Sequence, residues 1–405
     1  MLTRRVTRRA LAATRRPQGV AIALLLLSPT LARAESPGRA DPFGPQLTWS
    51  PVLEIRGRLE GEGDPVPTTR TVGQVARVGI QAARGILSAR VSLQEVRAWT
   101  GDRDGLSLSG SFTPDLAEGW VRLDGELSPN VGGRLTLGRQ PIQIDDGRLV
   151  GRRGWSLEGQ FLDALRFELL AAPLSFEVVN ARRFERDPAD EQGDPFSLGV
   201  TVLRLGVGRE GVNVDGKLDL LSVVDARNTS GVTSTTGFFG TLAMGRGLGQ
   251  AEGYVQQNAT GVGSLLSGRV GWVLGARRAW VVGGGYTAAS GDSTALGGQA
   301  AFQPVLGDQH DTYGLLDVLQ PGDDPRGLSD LVVSADVQAS VRVAVKLSGH
   351  RLAAPLDATT YGYEADAQLG WHITPYALVS LGAGVIGGGE LGVEAGGFTQ
   401  IGVEF

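Results

Sequence analysis

The chain has no cysteine, which excludes a disulfide scaffold, a thiolate metal site and a cysteine nucleophile together. Lysine is nearly absent too: Lys217 and Lys346 are the only two, and every other cationic side chain of this kind is arginine. So general a preference reads as genomic composition, and no arginine is singled out merely for not being lysine. Histidine occurs only as His310, His350 and His372. They fall on a long loop, an inward strand position and a short turn, an arrangement that offers neither a triad nor a shared metal site. Positive charge is not in excess, the formal net charge being -5, which argues against a nucleic-acid partner. No motif calls for a cofactor. The glycine-rich Gly245-Arg246-Gly247-Leu248-Gly249 does not open a helix after a strand. Long apolar runs are missing after residue 27, so no later segment is suited to cross a bilayer as a helix.

What is present begins with an address. Arg4, Arg5, Arg8, Arg9, Arg15 and Arg16 precede the apolar run 20–27, and Ala32-Arg33-Ala34 has the small-x-small form of a cleavage site. Residues 1–34 therefore read as a signal peptide cut before Glu35. The Arg8-Arg9 pair resembles a twin-arginine signal, but that route exports folded proteins. Residues 35–46 hold Pro37, Pro42 and Pro45 and read as a periplasmic lead-in.

From residue 47 to 405 the pattern is dyad. Leu53, Ile55 and Leu59 alternate with Glu54, Arg56, Arg58 and Glu60; Val121 and Leu123 oppose Glu118, Arg122 and Asp124; Leu218 and Leu220 oppose Lys217 and Asp219. Charges recur on one face in numbers that no packed sandwich core would tolerate unpaired. A water-filled lumen inside a lipid-facing wall accommodates both faces. About eighteen such segments, at roughly twenty residues per strand plus connection, predict an all-β transmembrane antiparallel barrel of porin size. The connections alternate between tight turns, such as Ser128-Pro129-Asn130 and Ile373-Thr374-Pro375, and long polar loops near 61–71, 101–115, 143–160, 185–196, 223–236, 288–327 and 352–360. Short turns are periplasmic and long loops external in such barrels. The last strand, 399–405, alternates and ends on Phe405, which is read as an assembly signal for the barrel-assembly machinery.

Inward parity collects Arg56, Arg58, Arg77, Arg90, Arg122, Arg134, Arg166, Lys217, Arg269, Arg342 and Lys346 as pore-lining candidates. It collects acids as well, among them Glu54, Glu118, Asp124, Glu168, Asp215, Asp219, Glu252, Asp336, Glu364 and Asp366, so ion-pair ladders on a wet wall are the alternative account of any one arginine. Arg139 has lipid parity and requires either a bulge or a place at the rim. The insertion 144–160, counted back from Phe405, is the third external loop. Its Asp145, Asp146, Arg148, Arg152 and Arg153 are constriction candidates if it folds into the lumen; the other possibility is an external lid packed through Trp155 and Leu149. Asp145-Asp146 and Asp323-Asp324 could hold Ca²⁺ or bridge lipopolysaccharide, or be solvated carboxylates. Trp49, Trp272, Trp280, Tyr361 and Trp371 read as outward aromatics of the interfacial belts.

Several blocks resemble the alginate export family of outer-membrane barrels. They are Gly138-Arg139-Gln140, Asp146-Gly147-Arg148-Leu149, Trp155 and Phe161-Leu162-Asp163; Val91 to Arg97, with a parity slip near Gln94 that suggests a bulge; Gly285-Tyr286, Ala289-Ser290-Gly291-Asp292, Phe302, His310, Tyr313-Gly314 and Asp317; and Tyr363-Glu364-Ala365-Asp366 through Ile373 and Pro375. The resemblance implies an arginine-lined passage for an anionic polymer, in the way that rings of cationic side chains select anions. The expected function is passive movement of an anionic polysaccharide or small acidic solutes through the outer membrane, among its lipids and lipopolysaccharide, with no covalent chemistry. The alternatives are a barrel-borne outer-membrane enzyme and a structural or adhesive barrel with a plugged lumen.

Overall fold

In the computed structural model the described residues are 46–404, apart from 64–68, 102–106, 110–113, 183–198, 210–213, 227–230, 260, 276–279, 293–299, 309 and 311. The proposed signal peptide, nearly all of the lead-in and Phe405 lie outside them.

The strands are β1 (Thr48–Gly63), β2 (Thr69–Arg84), β3 (Leu87–Gly101), β4 (Ser107–Ser109), β5 (Asp115–Ser128), β6 (Val131–Gln140), β7 (Leu162–Ala171), β8 (Leu174–Arg182), β9 (Val200–Arg209), β10 (Val214–Asp225), β11 (Thr233–Met244), β12 (Gly247–Gln257), β13 (Val262–Leu274), β14 (Trp280–Ala289), β15 (Leu328–Gln338), β16 (Val343–Ala353), β17 (Thr360–Thr374), β18 (Ala377–Gly387) and β19 (Glu394–Glu404). Each pairs antiparallel with its sequence neighbours, except that the three-residue β4 is a flap on β3 and β3 pairs onward with β5. β1 pairs with β19 across ten positions, from Glu54↔Glu404 to Gly63↔Ala395, and so closes an 18-stranded antiparallel barrel. Closure removes the free edges, and each of the eighteen barrel strands hydrogen bonds on both sides without help from solvent. No α-helix occurs among the described residues.

The dyad pattern sorts the side chains as its chemistry requires. Val78, Leu137, Leu266, Val270 and Val333 point outward and are exposed, while Arg58, Glu118, Glu177, Asp219 and Glu252 point inward and are buried. An exposed apolar band is stable only against lipid, and an inward charge only beside a partner or water. The fold separates the turns into two rims. Two residues join β2 to β3, β5 to β6, β7 to β8, β11 to β12 and β17 to β18, all at one end. Two connections at the opposite end, 258–261 and 388–393, are shorter than that rim's pattern suggested. The expected bulge is also present, but in β5, where Ala117 is the extra residue opposite Ser92 and Leu93 rather than a slip in β3.

The inner face changes character along its height. Near the long-loop rim β7 to β10 turn Ala164, Val179, Ala181, Val200, Val202, Leu221 and Val223 inward. These would be poorly placed in a water-filled bore; instead Ile142, Ile144, Leu149, Val150, Phe302 and Leu306, from the connections β6–β7 and β14–β15, fold in and bury them. A second apolar cluster, Tyr313, Leu319, Leu328, Leu352, Tyr361 and Ile386, packs the other end of the β14–β15 connection onto β15 to β18.

Candidate functional site

The β6–β7 connection, 141–161, crosses the lumen, and each stage of the crossing is fastened by a different chemistry. Leaving β6, Asp145 is driven against the wall, where its carboxylate takes Lys217 Nζ at 2.7 Å and lies 3.7 Å from Arg204 Nη1. Asp219 shares both cations, with Arg204 at 3.4 Å. Burial pushes the Asp145 carboxyl up to about 7, with the adjoining Asp219 adding to the push. Asp146 accepts from Gln250 at 3.0 Å. Neither residue is the solvated loop carboxylate that composition suggested.

Arg148 follows as a buried cation. Its Nε lies 2.7 Å from the fully buried Glu252 and its Nη1 donates to the Tyr313 hydroxyl. It was expected among the charges facing the passage; the structure places it inside a packed seam between loop and wall. The chain then runs beside the β14–β15 connection. Gly151 N donates to Leu306 O at 3.0 Å, Leu306 N to Leu149 O at 2.9 Å, and Asp308 N to Gly147 O at 2.9 Å. Gln160 donates to the Gly151 and Leu306 carbonyls at 2.7 and 3.0 Å. The two long connections are thereby one body.

Arg152 and Arg153 are exposed, with Arg153 at φ 49°. Arg152 stands within the fields of Arg166, Glu118 and Glu404, three inner-face groups on β7, β5 and β19, so it looks into the lumen. Partial burial lowers its pKa first and the Arg166 guanidinium lowers it further. Beyond it the tip reaches β1, β2 and β19 on the far side. Trp155 lies between the guanidinium of Arg58, 4.0 Å from the ring centroid, and His310, stacked at 3.8 Å, with Phe398 edge-on at 4.7 Å. His310 is in turn bonded to Asp317. The loop is therefore neither wholly external nor a bare ring of charge.

The wall candidates fall into distinct positions. Arg56, Arg58 and Arg77 hold the loop tip. Arg90 pairs with Glu118 at 2.9 Å, and Arg122 bonds Thr136 at 3.1 Å while lying over Trp120. Arg134 bridges Asp124 at 2.6 Å and Glu168 at 3.4 Å, and Arg166 bonds Glu177 at 2.7 Å. Arg269 donates to Thr312 O at 3.3 Å, and Lys346 is inward on β16 opposite Asp336. Arg342 is not on the wall: β16 begins one residue later, and Arg342 lies exposed in the short turn, where its carbonyl accepts from His372 N. Arg139 keeps its outward parity at the rim and grips Asp163 with two bonds of 3.0 and 2.9 Å. Tyr361, expected outward, is buried, because the register shift at Leu352/Ala353 turns it in; its hydroxyl donates to Gly327 O at 2.9 Å.

Sequence reading passed over Arg204, which joins Glu177, Asp219 and Asp145 and completes a belt of ion pairs from Asp124 to Lys217. Its signal was legible in β9, where Arg204 alternates with Leu203 and Leu205. His350 bonds Asp330 at 3.1 Å on β16 and β15. No group of three or more metal-ligating side chains with suitable geometry occurs among the described residues.

The architecture is that of solved porins. The chain is similar to Pseudomonas aeruginosa OccK5 (OpdH), with a TM-score of 0.59 and 10% identity over 88% of this chain and 98% of that one. It is similar to the outer membrane protein OpdK of the same organism, at 0.59 and 11%, again over 88% and 98%. OpdK with vanillate gives 0.57 and 11% over the same shares. Identities this low speak to fold alone. No protein-family model and no curated protein matches the chain, so the resemblance to the alginate export family rests on its motifs. What the structural comparison establishes is the porin-type barrel.

Proposed function

We propose that the protein is a passive outer-membrane channel for small acidic solutes, exported across the inner membrane with residues 1–34 removed and inserted by the barrel-assembly machinery among lipid and lipopolysaccharide. Arg152 carries this reading: it is an exposed guanidinium on a loop laid across the lumen, beside Arg166, where a permeating ion must pass close. Most of the wall arginines are compensated by acids a few ångströms away, so their fields largely cancel at the axis. Arg152 has no hydrogen-bonded acid among the described residues. The other form of the reading, export of an anionic polysaccharide, needs a bore that a chain can thread, and the crossing loop weighs against it. OpdK, which shares the fold, has been crystallised with vanillate, itself a small carboxylate. No covalent step is required of any residue.

The test is the reversal potential of single channels under a KCl gradient. One unit charge about 6 Å from an ion contributes about 0.7 kcal/mol in water, reduced roughly by half through screening at physiological salt. Arg152→Glu changes the charge by two units and should lower the anion-to-cation permeability ratio by roughly three- to tenfold. A ratio unchanged from the parent removes Arg152 from the passage and the reading with it.

A further inference from the structure

The hydrogen bonds from the β1 and β2 arginines to the tip of the crossing loop all go to backbone carbonyls. Five successive carbonyls, from Gly154 to Glu158, each accept from a wall guanidinium. Arg56 donates to Gly154 at 2.6 Å, to Ser156 at 2.7 Å and to Leu157 at 3.4 Å; Arg58 donates to Trp155; Arg77 donates to Leu157 at 3.3 Å and Glu158 at 3.0 Å. The Leu157 side chain fills a notch in β2 that exists because residue 73 is glycine, since a Cβ there would stand 2.1 Å from Leu157 Cδ1. The three guanidinia are not equivalent. Arg58 also holds Glu60 at 3.0 Å and Arg77 holds Glu54 at 2.6 Å, whereas Arg56 bonds neutral carbonyls only, and its Nε is buried with no acceptor among the described residues.

We propose that Arg56 is a latch released by the carboxylate of the solute. This rests on the acidic-solute reading and adds a binding site and a gate to it. A guanidinium offers paired N–H groups that match a carboxylate in a two-bond fork, and an ionised acceptor adds a Coulombic attraction that the neutral loop carbonyls lack. A carboxylate arriving at Arg56 takes the idle Nε–H together with the adjoining Nη2–H, the Ser156 and Leu157 carbonyls lose that donor, and the guanidinium, turned toward the carboxylate, withdraws Nη1 from Gly154. The tip is then held by Arg58, Arg77 and the Leu157 notch, and its dissociation widens the passage on the β1–β2 side. Arg152 sets which ions enter, and Arg56 sets when the tip yields.

The native chain contains no cysteine, so the latch can be locked. Leu157 Cγ, the position a cysteine sulfur would take, lies 3.3 Å from the Cβ position of residue 73, within reach of a second sulfur on that Cβ and an S–S bond of about 2.0 Å. In bilayers in KCl, adding sodium acetate to the parent should raise the time spent in a higher-conductance level. The oxidised Gly73→Cys/Leu157→Cys channel should lose that increment and regain it on reduction. Arg56→Gln should occupy the higher level without acetate and gain nothing from it. Acetate acting equally on locked and reduced channels, or Arg56→Gln keeping the parent's conductance and acetate response, overturns the latch. Anion preference of the parent channel is read in the same experiment: if it is present but acetate raises no higher-conductance level the latch alone fails, and if it is missing the acidic-solute reading fails separately.

Discussion

Replacing Arg148 should undock the crossing loop, because the loop's root depends on one fully buried ion pair. Arg148 is 3% exposed and Glu252 is inaccessible; the arginine Nε lies 2.7 Å from a carboxylate oxygen of Glu252, neither of whose oxygens has a hydrogen-bond partner by strict geometry among the described residues. Arg148→Met keeps most of the apolar stem but leaves Glu252 in the seam with Asp146 nearby and only the field of Arg269 to compensate it. Breaking a buried pair from one side costs about 3–5 kcal/mol. If that cost falls on docking, the ratio of docked to undocked loop drops by roughly 10²–10³ or more, at about 1.4 kcal/mol per factor of ten. Trypsin reads the population directly, since an undocked loop presents Arg152 and Arg153 as cleavage sites and cutting of a rapidly reclosing segment follows the open fraction. Cleavage at those arginines in detergent-solubilised, still-folded barrel should accelerate by at least about tenfold in Arg148→Met. Arg148→Met combined with Glu252→Leu should return it toward the parent rate, because removing both charges removes the penalty. A cleavage rate that Arg148→Met leaves unchanged would refute the reasoning: the loop would then be held by Asp145 and the tip, and the buried pair would be energetically idle.

Other outcomes follow from the same seams. Asp145, raised by burial toward about 7 from an ordinary value near 3.9, binds its proton more tightly docked than undocked. Its contribution is therefore complete below about pH 4 and is lost as pH rises through 7; the protection of loop amides in 144–150 relative to their base-catalysed intrinsic exchange should fall between pH 5 and pH 8, and Asp145→Asn should flatten that dependence. Deleting 145–153 should raise conductance, since it removes both the root and Arg152; an unchanged conductance would mean the loop does not narrow the bore. Gly314→Ala should loosen the β14–β15 connection, because residue 314 has φ 114° and an added Cβ would meet the Glu364 carboxylate at 2.2 Å; unaltered stability in a urea titration would contradict it. Mature protein should begin at or near Glu35, checked by intact mass, and loss of Phe405 should reduce insertion while synthesis continues.

The barrel was legible because its two signals are local and independent. Alternation places Leu135 and Leu137 on one face and Arg134 and Thr136 on the other whatever the rest of the chain does, and the turn lengths give the rims without reference to hydrophobicity. The crossing loop was half legible. Its length and arginine content marked 144–160 as an element with a task, but charge count cannot separate Arg148, sealed against Glu252, from Arg152, open to the lumen: that difference is made by β12, about a hundred residues away. A more useful signal lay in the strands. In β7 to β10 the inward positions pass from Arg166, Glu177, Arg204 and Asp219 to Ala164, Val179, Val202 and Leu221 toward the long-loop rim. Apolar residues facing a wet bore cost free energy unless something covers them, so that switch in inward chemistry already requires an occupant at that height. The same logic places the polar grip of the tip on β1 and β2, where the inward positions stay Glu54, Arg56, Arg58 and Arg77 and the guanidinia receive the loop through its carbonyls and the Trp155 ring. Which half of the lumen is packed and which half can open is thus written in the wall, one face at a time, rather than in the loop that moves.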